Sequence, residues 1–240
     1  MTTPRYDGQT DWYESFAAGE AHSAMRAFAV GMLGPGPGRC LDLGCGTGRA
    51  IPLLQEAGWA VVATDVSADQ LDVARRIAGA ASFVHADGQA LPFAEDEFDA
   101  VISLFTHTDF EDLASAFAEA ARVLKPGGRF VYLGAHPCFG SPMVARAEAM
   151  NLPGATAILK TGYSKPGWRT LPPDPSSSRI RARVGINHVP LAHFLNALAR
   201  NGLAIERVEE PGGDDPPLYL AILATAAQRP TSRPSVSAAT

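Results

Sequence analysis

The sequence predicts a doubly wound α/β fold, a mostly parallel, seven-stranded sheet with helices on both faces and a C-terminal antiparallel hairpin. Three observations predict it. Short apolar runs alternate with helix-length segments from Arg39 to Gly134. Runs such as VISLF are apolar throughout, as strands buried on both faces are. Two further strand-like runs near the C-terminus, LAIERVEE and LYLAILATA, lie close enough to pair antiparallel. At 240 residues the chain is long enough for one substantial domain.

The elements follow in order. A single helix is expected from about Asp11 to Leu33, with Trp12, Phe16, Met25, Phe28 and Val30 as its apolar content, and GPGPGR then breaks the chain. RCLDL reads as a strand, Arg49 to Ala57 as a helix closed by Gly58, and AVVATD, ending at Asp65, as a buried strand. Ser67 and Gln70 form a capping box, in which the hydroxyl accepts from the Gln70 amide while the glutamine side chain reaches back. The helix they start runs through Leu71, Val73 and Ile77. SFVHA and FDAVISLF are the third and fourth strands. A helix from about Phe110 to Leu124 ends at KPGG, a turn, and RFVYLG is the fifth strand. Residues 135 to 187 break the rhythm with HPCFGSP, TGYSKPGW and LPPDPSSS, and read as an insertion holding short helices at most. SRIRARV alternates apolar with basic residues like an exposed strand face. A helix from about Pro190 to Asn201 and the hairpin complete one domain over residues 1–228, and residues 229–240 read as a disordered tail.

Composition narrows the class. The chain is 46% hydrophobic and 19% charged, as a globular protein with a core is, and its net charge of −5 gives no bulk attraction to nucleic acid or anionic membrane. It holds no apolar run of membrane-spanning length and no signal-peptide pattern at its start. Cys40, Cys45 and Cys138 make no CxxC pair and no even framework, so a reducing cytoplasm is expected.

The informative stretch is LDLGCGTGRA, residues 41 to 50. A glycine loop leaving the first strand of such a sheet lies where ligands bind. A triphosphate loop needs a GK[ST] ending, and no lysine follows. A dinucleotide fingerprint starting at Gly44 needs a small residue where Arg49 stands. Two acids sharpen the choice. Asp65 ends the second strand, where it can accept from both hydroxyls of a ribose. Asp87 follows the third, where it can accept from an adenine amine. Either alone could be a solvated turn residue; together, behind the loop, they form a pattern.

On these residues the sequence resembles the class I S-adenosylmethionine-dependent methyltransferases, close to the small-molecule branch of ubiquinone-type and natural-product enzymes of secondary metabolism. Asp42, Gly44, Gly46 and Gly48 match the family's first motif, ATDVS its second, ADGQALPFAEDEFDAVIS its third and fourth, and ARVLKPGGRFVYLG the segment into strand five. The resemblance implies a Rossmann-like sheet and the cofactor S-adenosyl-L-methionine, with S-adenosyl-L-homocysteine as product. It places Asp42, Gly44, Cys45 and Gly46 around the methionine moiety, Asp65 on the ribose and Val66 on the adenine. Asp87, Gly88 and Gln89 fall at the adenine edge, and Leu104 against the methionine part.

The acceptor is less legible. His107 in LFTHTD is the candidate general base, with Asp109 to orient it; packing or capping is its competing role. Tyr13, the second catalytic candidate, could line the acceptor site or cover the cofactor; a plain core aromatic is its competing role. Phe105, His136, Phe139, Tyr163, Trp168 and His188 are candidate acceptor-site residues from the strand ends and the insertion. His188 and His193 lack the i, i+4 spacing of paired metal ligands, and no metal is expected. Residues 141 to 187 carry seven Arg or Lys and two acids. That balance could attract an anionic acceptor or simply be solvated. The expected activity is methyl transfer by in-line displacement to a small cyclic or aromatic metabolite. The N-terminal 33 residues would act as a lid, the insertion would lie over the acceptor, no nucleic acid or membrane would be involved, and the protein would be a monomer or homodimer. The rivals are non-methyl chemistry such as cyclisation on the same cofactor, a non-catalytic binding module, and a nicotinamide oxidoreductase.

Overall fold

The computed structural model of the chain describes residues 3–140, 144–145, 158–159, 162–170, 179–214 and 216–228. The expectation for the tail lies outside them, as does the Phe16 side chain.

The N-terminal stretch is two helices, α1 (Thr10–Ala17) and α2 (Glu20–Leu33), where one was expected. Gly19 takes an extended conformation (φ −59°, ψ 147°) as the N-cap of α2 and separates them. The alternating part follows as β1 (Gly38–Leu43), α3 (Ile51–Glu56), β2 (Trp59–Asp65), α4 (Ala68–Ile77), β3 (Ser82–His85), β4 (Phe98–Leu104), α5 (Leu113–Val123) and β5 (Leu124–Ala135). KPGG does turn, but inside β5. Phe98 pairs with Leu124 and Ala100 with Arg129, so the residues between them leave the ladder. The insertion contributes two short antiparallel pairs. One joins β6 (Val144–Ala145) to β7 (Ile158–Leu159), the other β8 (Gly167–Arg169) to β9 (Ile186–His188). Between the last two strands lies α6 (Arg179–Val184), so RIRARV is helical and not the exposed strand face its alternation suggested. The chain ends with α7 (Leu191–Arg200), β10 (Leu203–Glu209) and β11 (Tyr219–Ala226).

The seven-stranded sheet has the order β3-β2-β1-β4-β5-β11-β10. β1 to β5 are parallel, and β11 is antiparallel to both β5 and β10. Side-chain alternation fills both faces. Leu41, Val101, Phe130 and Tyr132 pack with Phe117 and Phe194 on one side. Cys40, Ile102, Val131 and Leu133 pack with Leu33, Ile51 and Leu54 on the other. The strand order reverses between β1 and β4, and the loops after β1, β2, β3 and β4 converge at that end. A crevice at such a reversal is where sheets of this class bind ligands.

Candidate active site

A cleft opens at the carboxyl ends of these strands, walled by Gly44, Gly46, Asp65, Val66, Asp87, Gly88, Leu104 and Phe105 from the sheet side. Tyr6, Trp12, Tyr13, His22 and Arg26 close it from the N-terminal segment, and Arg181 of α6 reaches it from the insertion. A smaller compartment beside it holds Asp42, Cys45 and again Arg26, Leu104 and Phe105. Nine of the predicted site residues therefore line the main cleft, and Asp42 and Cys45 line its neighbour.

The glycine loop is not a phosphate cradle. The amides of Gly44 and Cys45 both donate to the Thr64 carbonyl at 2.9 Å, and Gly48 donates to the Cys45 carbonyl at 2.9 Å. The Gly46 amide donates to the Asp65 carboxylate at 2.8 Å. These donors are spent inside the protein, and the polar groups the loop keeps beside the cavity are the carboxyls of Asp42 and Asp65. Gly46 has φ +52°, and a Cβ there would lie 3.2 Å from the Tyr13 hydroxyl, so glycine allows the α1 lid to settle on the loop. Arg49, the residue that opposed a dinucleotide fingerprint, lines the smaller compartment and pairs with Glu14 of α1 at 2.6 Å.

Both loop acids are electrostatically poised. Asp65 accepts from the Ser67 amide at 2.9 Å as well as from Gly46. Burial nevertheless holds its carboxyl above the ordinary range, partly offset by those donors. Asp42 is 2% exposed, and its Oδ2 is buried with no hydrogen-bond partner. Burial, reinforced by Asp65, pushes its carboxyl from 3.8 up to about 7. An orphaned buried carboxylate oxygen facing a cavity calls for a cationic or donor ligand. Across the same compartment stands Arg26, 7% exposed, whose Nη2 donates to the Ala17 carbonyl at 2.8 Å and so caps the end of α1. A ligand with an ammonium and a carboxylate on one carbon, together with a ribose, matches this donor set: Asp42, Arg26 and Asp65.

Gln89 does not line the cleft. Its backbone N–H and side-chain Nε2 donate to Asp87 at 3.0 and 3.2 Å, and its Oε1 accepts from the Asp112 amide, so it fixes Asp87 from behind.

The structure does not bring His107 to the cleft. Phe105 has φ +60° and turns the chain, and Thr106 bonds back to Ser103 at 2.7 Å. His107 is thereby buried on the far side, with Nδ1 2.5 Å from the Tyr132 hydroxyl and its ring edge-on to Phe194. Burial, with Arg181 adding to it, lowers its pKa to about 3. Asp109, expected to orient it, instead binds Arg181 at 2.5 Å and accepts from the Tyr6 hydroxyl at 3.1 Å. His107 is a core histidine.

The candidates from the end of strand five and the insertion line neither compartment and are engaged elsewhere. His136 bonds Glu210 through Nε2 at 3.0 Å and accepts from the Cys138 amide, and Phe139 stacks on it. The Tyr163 hydroxyl accepts from the Leu191 amide at 2.8 Å, and its carbonyl meets His188 Nε2 at 2.6 Å. The Arg5 guanidinium lies 4.1 Å over the Trp168 ring. The cleft residues that sequence reasoning missed include Tyr6, Trp12, His22, Arg26, Gln70, Phe110 and Arg181.

Comparison with known proteins agrees with this geometry. Residues 41–132 match a family described as a methyltransferase domain. The chain is 37% identical over 139 residues to a demethylmenaquinone methyltransferase of Renibacterium salmoninarum, covering 57% of each. It is 36% identical over 128 residues to an O-methyltransferase of Penicillium expansum, covering 49% of this chain and 46% of that one. The chain thus spans about half the length of the curated relatives it matches. Its fold superposes on an S-adenosylmethionine-dependent methyltransferase from Mesorhizobium loti with a TM-score of 0.67 and 27% identity, over 87% of this chain and 98% of that one.

Proposed function

We propose, from a chain whose residues 41–132 match a methyltransferase domain, that the protein is a class I S-adenosylmethionine-dependent methyltransferase acting on a small cyclic or aromatic metabolite. The observation that carries the reading is the unpaired, buried Oδ2 of Asp42 behind a glycine loop with no lysine. When bound, the cofactor supplies a methyl group already made electrophilic by its sulfonium.

The chain's own residues then position and enclose. Asp42 would hold the ammonium of the methionine end and Arg26 its carboxylate. Asp65 would accept from the ribose, while Asp87, held by Gln89, meets the adenine edge. Phe105 belongs to both compartments and so stands where the methionine end passes into the acceptor space. That space would lie against Phe105, which stands edge-on to His22 at 5.2 Å, with Trp12 and Tyr13 of α1 lining the same cleft. Flat aromatic walls favour a flat, apolar acceptor and exclude water, which is most of what an in-line displacement asks of the protein. Asp109 and Arg181 neutralise each other at its rim. Burial raises the hydroxyl pKa of Tyr13 and Tyr6, so neither serves as a ready base. His22 is kept neutral by burial and by Arg26, and it replaces His107 as the imidazole that faces the acceptor.

The test is a turnover screen. The protein is mixed with S-adenosylmethionine and a panel of phenols, quinols and aromatic acids, and adenosylhomocysteine formation is followed. Product that depends on one acceptor class supports the reading. Cofactor binding with product independent of every acceptor refutes the acceptor assignment.

A further inference from the structure

Each residue of the strap before α1, from Arg5 to Gln9, is tied to another part of the chain. Asp7 accepts from the Ser67 hydroxyl at 2.5 Å and the Gly8 amide donates to Asp69 at 2.7 Å, which fastens the strap to the start of α4, behind β2. The other three residues reach the turn behind β4 and the insertion. The Arg5 guanidinium donates to Glu111 at 2.7 Å and lies 4.1 Å over the Trp168 ring. The Tyr6 hydroxyl donates to Asp109 at 3.1 Å, and Gln9 accepts from Arg183 at 3.0 Å. In the sheet β1 stands between β2 and β4, so the two sets of ties lie on opposite sides of the glycine loop. Tyr6 lines the main cleft between them, and the strap therefore crosses over it.

The insertion offers the strap a fixed anchor. The Asn187 amide donates to the Thr108 carbonyl at 2.7 Å and its side chain to the Phe110 carbonyl at 2.8 Å, so β9 is held to the turn that follows β4. Trp168 pairs with Asn187 across β8 and β9. Gly185, at φ +73°, has no Cβ to strike the Trp168 indole that lies against it. Trp168 and Arg183 line neither compartment, yet they hold the segment that covers one of them. We propose that Trp168 and Arg183 are positioning residues for the cofactor, acting from the insertion by clamping the strap over the bound ligand. A ligand enclosed beneath the strap departs when one side of the strap lets go, so the clamp acts on the rate of leaving. A cation over an indole face and a single hydrogen bond are each modest, so each slows release by a small factor. The inference rests on the cofactor reading above.

Stopped-flow fluorescence of S-adenosylhomocysteine leaving the full chain tests it, with Trp12 in the cleft as a reporter that Trp168 variants keep. Trp168→Leu and Arg5→Met should each speed dissociation about five-fold, and Arg183→Met about two-fold. Association should change by less than about two-fold in all three. The double variant Arg5→Met with Trp168→Leu should release the ligand no faster than Arg5→Met alone, because Trp168 acts through Arg5. Trp168→Phe keeps a ring face under the guanidinium and should restore most of the slow release. A Trp168→Leu variant that merely loosened the insertion would speed release in the Arg5→Met background as well, and that result would overturn the proposal. Release unchanged in Trp168→Leu, or a Trp168→Phe variant as fast as Trp168→Leu, would overturn it too. Wild-type protein that does not bind adenosylhomocysteine would overturn the cofactor reading itself, and this inference with it.

Discussion

The Asp42 carboxyl makes cofactor binding a proton-coupled event. Free, it titrates at about 7 because it is buried beside Asp65. Bound, it would face the ammonium of the methionine end, and an ammonium holds a carboxylate ionised. The ligand amine stays charged through pH 7. Below pH 7 binding must therefore expel a proton from Asp42, at about 1.4 kcal/mol per unit of pH. Affinity for adenosylhomocysteine should fall about five-fold from pH 7 to pH 6 and about 50-fold to pH 5, and change by no more than about two-fold above 7. Calorimetry at pH 6 in buffers of different ionisation enthalpy should count roughly 0.9 proton released per ligand. Asp42→Asn should abolish both the slope and the release. The same shift carries a stability sign. A carboxyl raised from 3.8 to about 7 contributes fully below pH 3.8 and loses that contribution as pH rises to 7. The loss is about 4 kcal/mol, so Asp42→Asn should stabilise the ligand-free protein most at pH 7 and above. Wild-type affinity that is level from pH 5 to 7, with no proton released, would refute the reasoning. A proton count that survives in the variant would do the same.

Three further outcomes are expected. Asp65→Ala should weaken adenosylhomocysteine binding by about 2 kcal/mol, the scale of a hydrogen bond to a charged acceptor, and an unchanged dissociation constant would remove its ribose role. Arg181→Met should leave Asp109 charged and without its partner. The pair is 20% and 26% exposed, so a loss of about 2 kcal/mol in chemical denaturation fits better than the roughly 3–5 of a fully buried pair, and adding Asp109→Asn should restore part of it. His107→Phe should leave cofactor affinity unchanged while orphaning the Tyr132 hydroxyl, at a cost of about 1–3 kcal/mol at pH 7. Because the His107 pKa is lowered from 6.5 to about 3, its contribution is full above pH 6.5 and is lost as pH falls. The gap between wild type and variant should thus narrow by about 1.4 kcal/mol per unit below 6.5, as urea titrations at pH 7 and 5 would show.

The strands and the cofactor end were legible because both rest on local rules. Strands apolar on both faces announce themselves, and a glycine loop followed by acids at successive strand ends has few uses. The N-terminal break escaped because apolar residues continue across Gly19, and only that residue's extended backbone divides them. The acceptor end was illegible for a different reason. Histidine and aromatic side chains look alike in sequence whether they wall a cavity or tie a loop down. Tertiary contacts sent His107 toward Tyr132, and Tyr163 and His188 toward each other. Arg181 was hidden within a run of basic residues, whose excess does not reveal which one meets Asp109. Gln70 was read correctly as a capping residue by pattern, but Asp65 reached the Ser67 amide first.

The measurement that bears most directly on the central claim is calorimetric titration of the purified chain with S-adenosylhomocysteine, S-adenosylmethionine and NAD, preceded by native mass spectrometry for ligand carried through purification. The account predicts that both sulfur-containing ligands bind, one per chain, and that NAD does not, since the loop amides are spent and Asp42 and Asp65 would repel a pyrophosphate. Binding of NAD, or of none of the three, would contradict it.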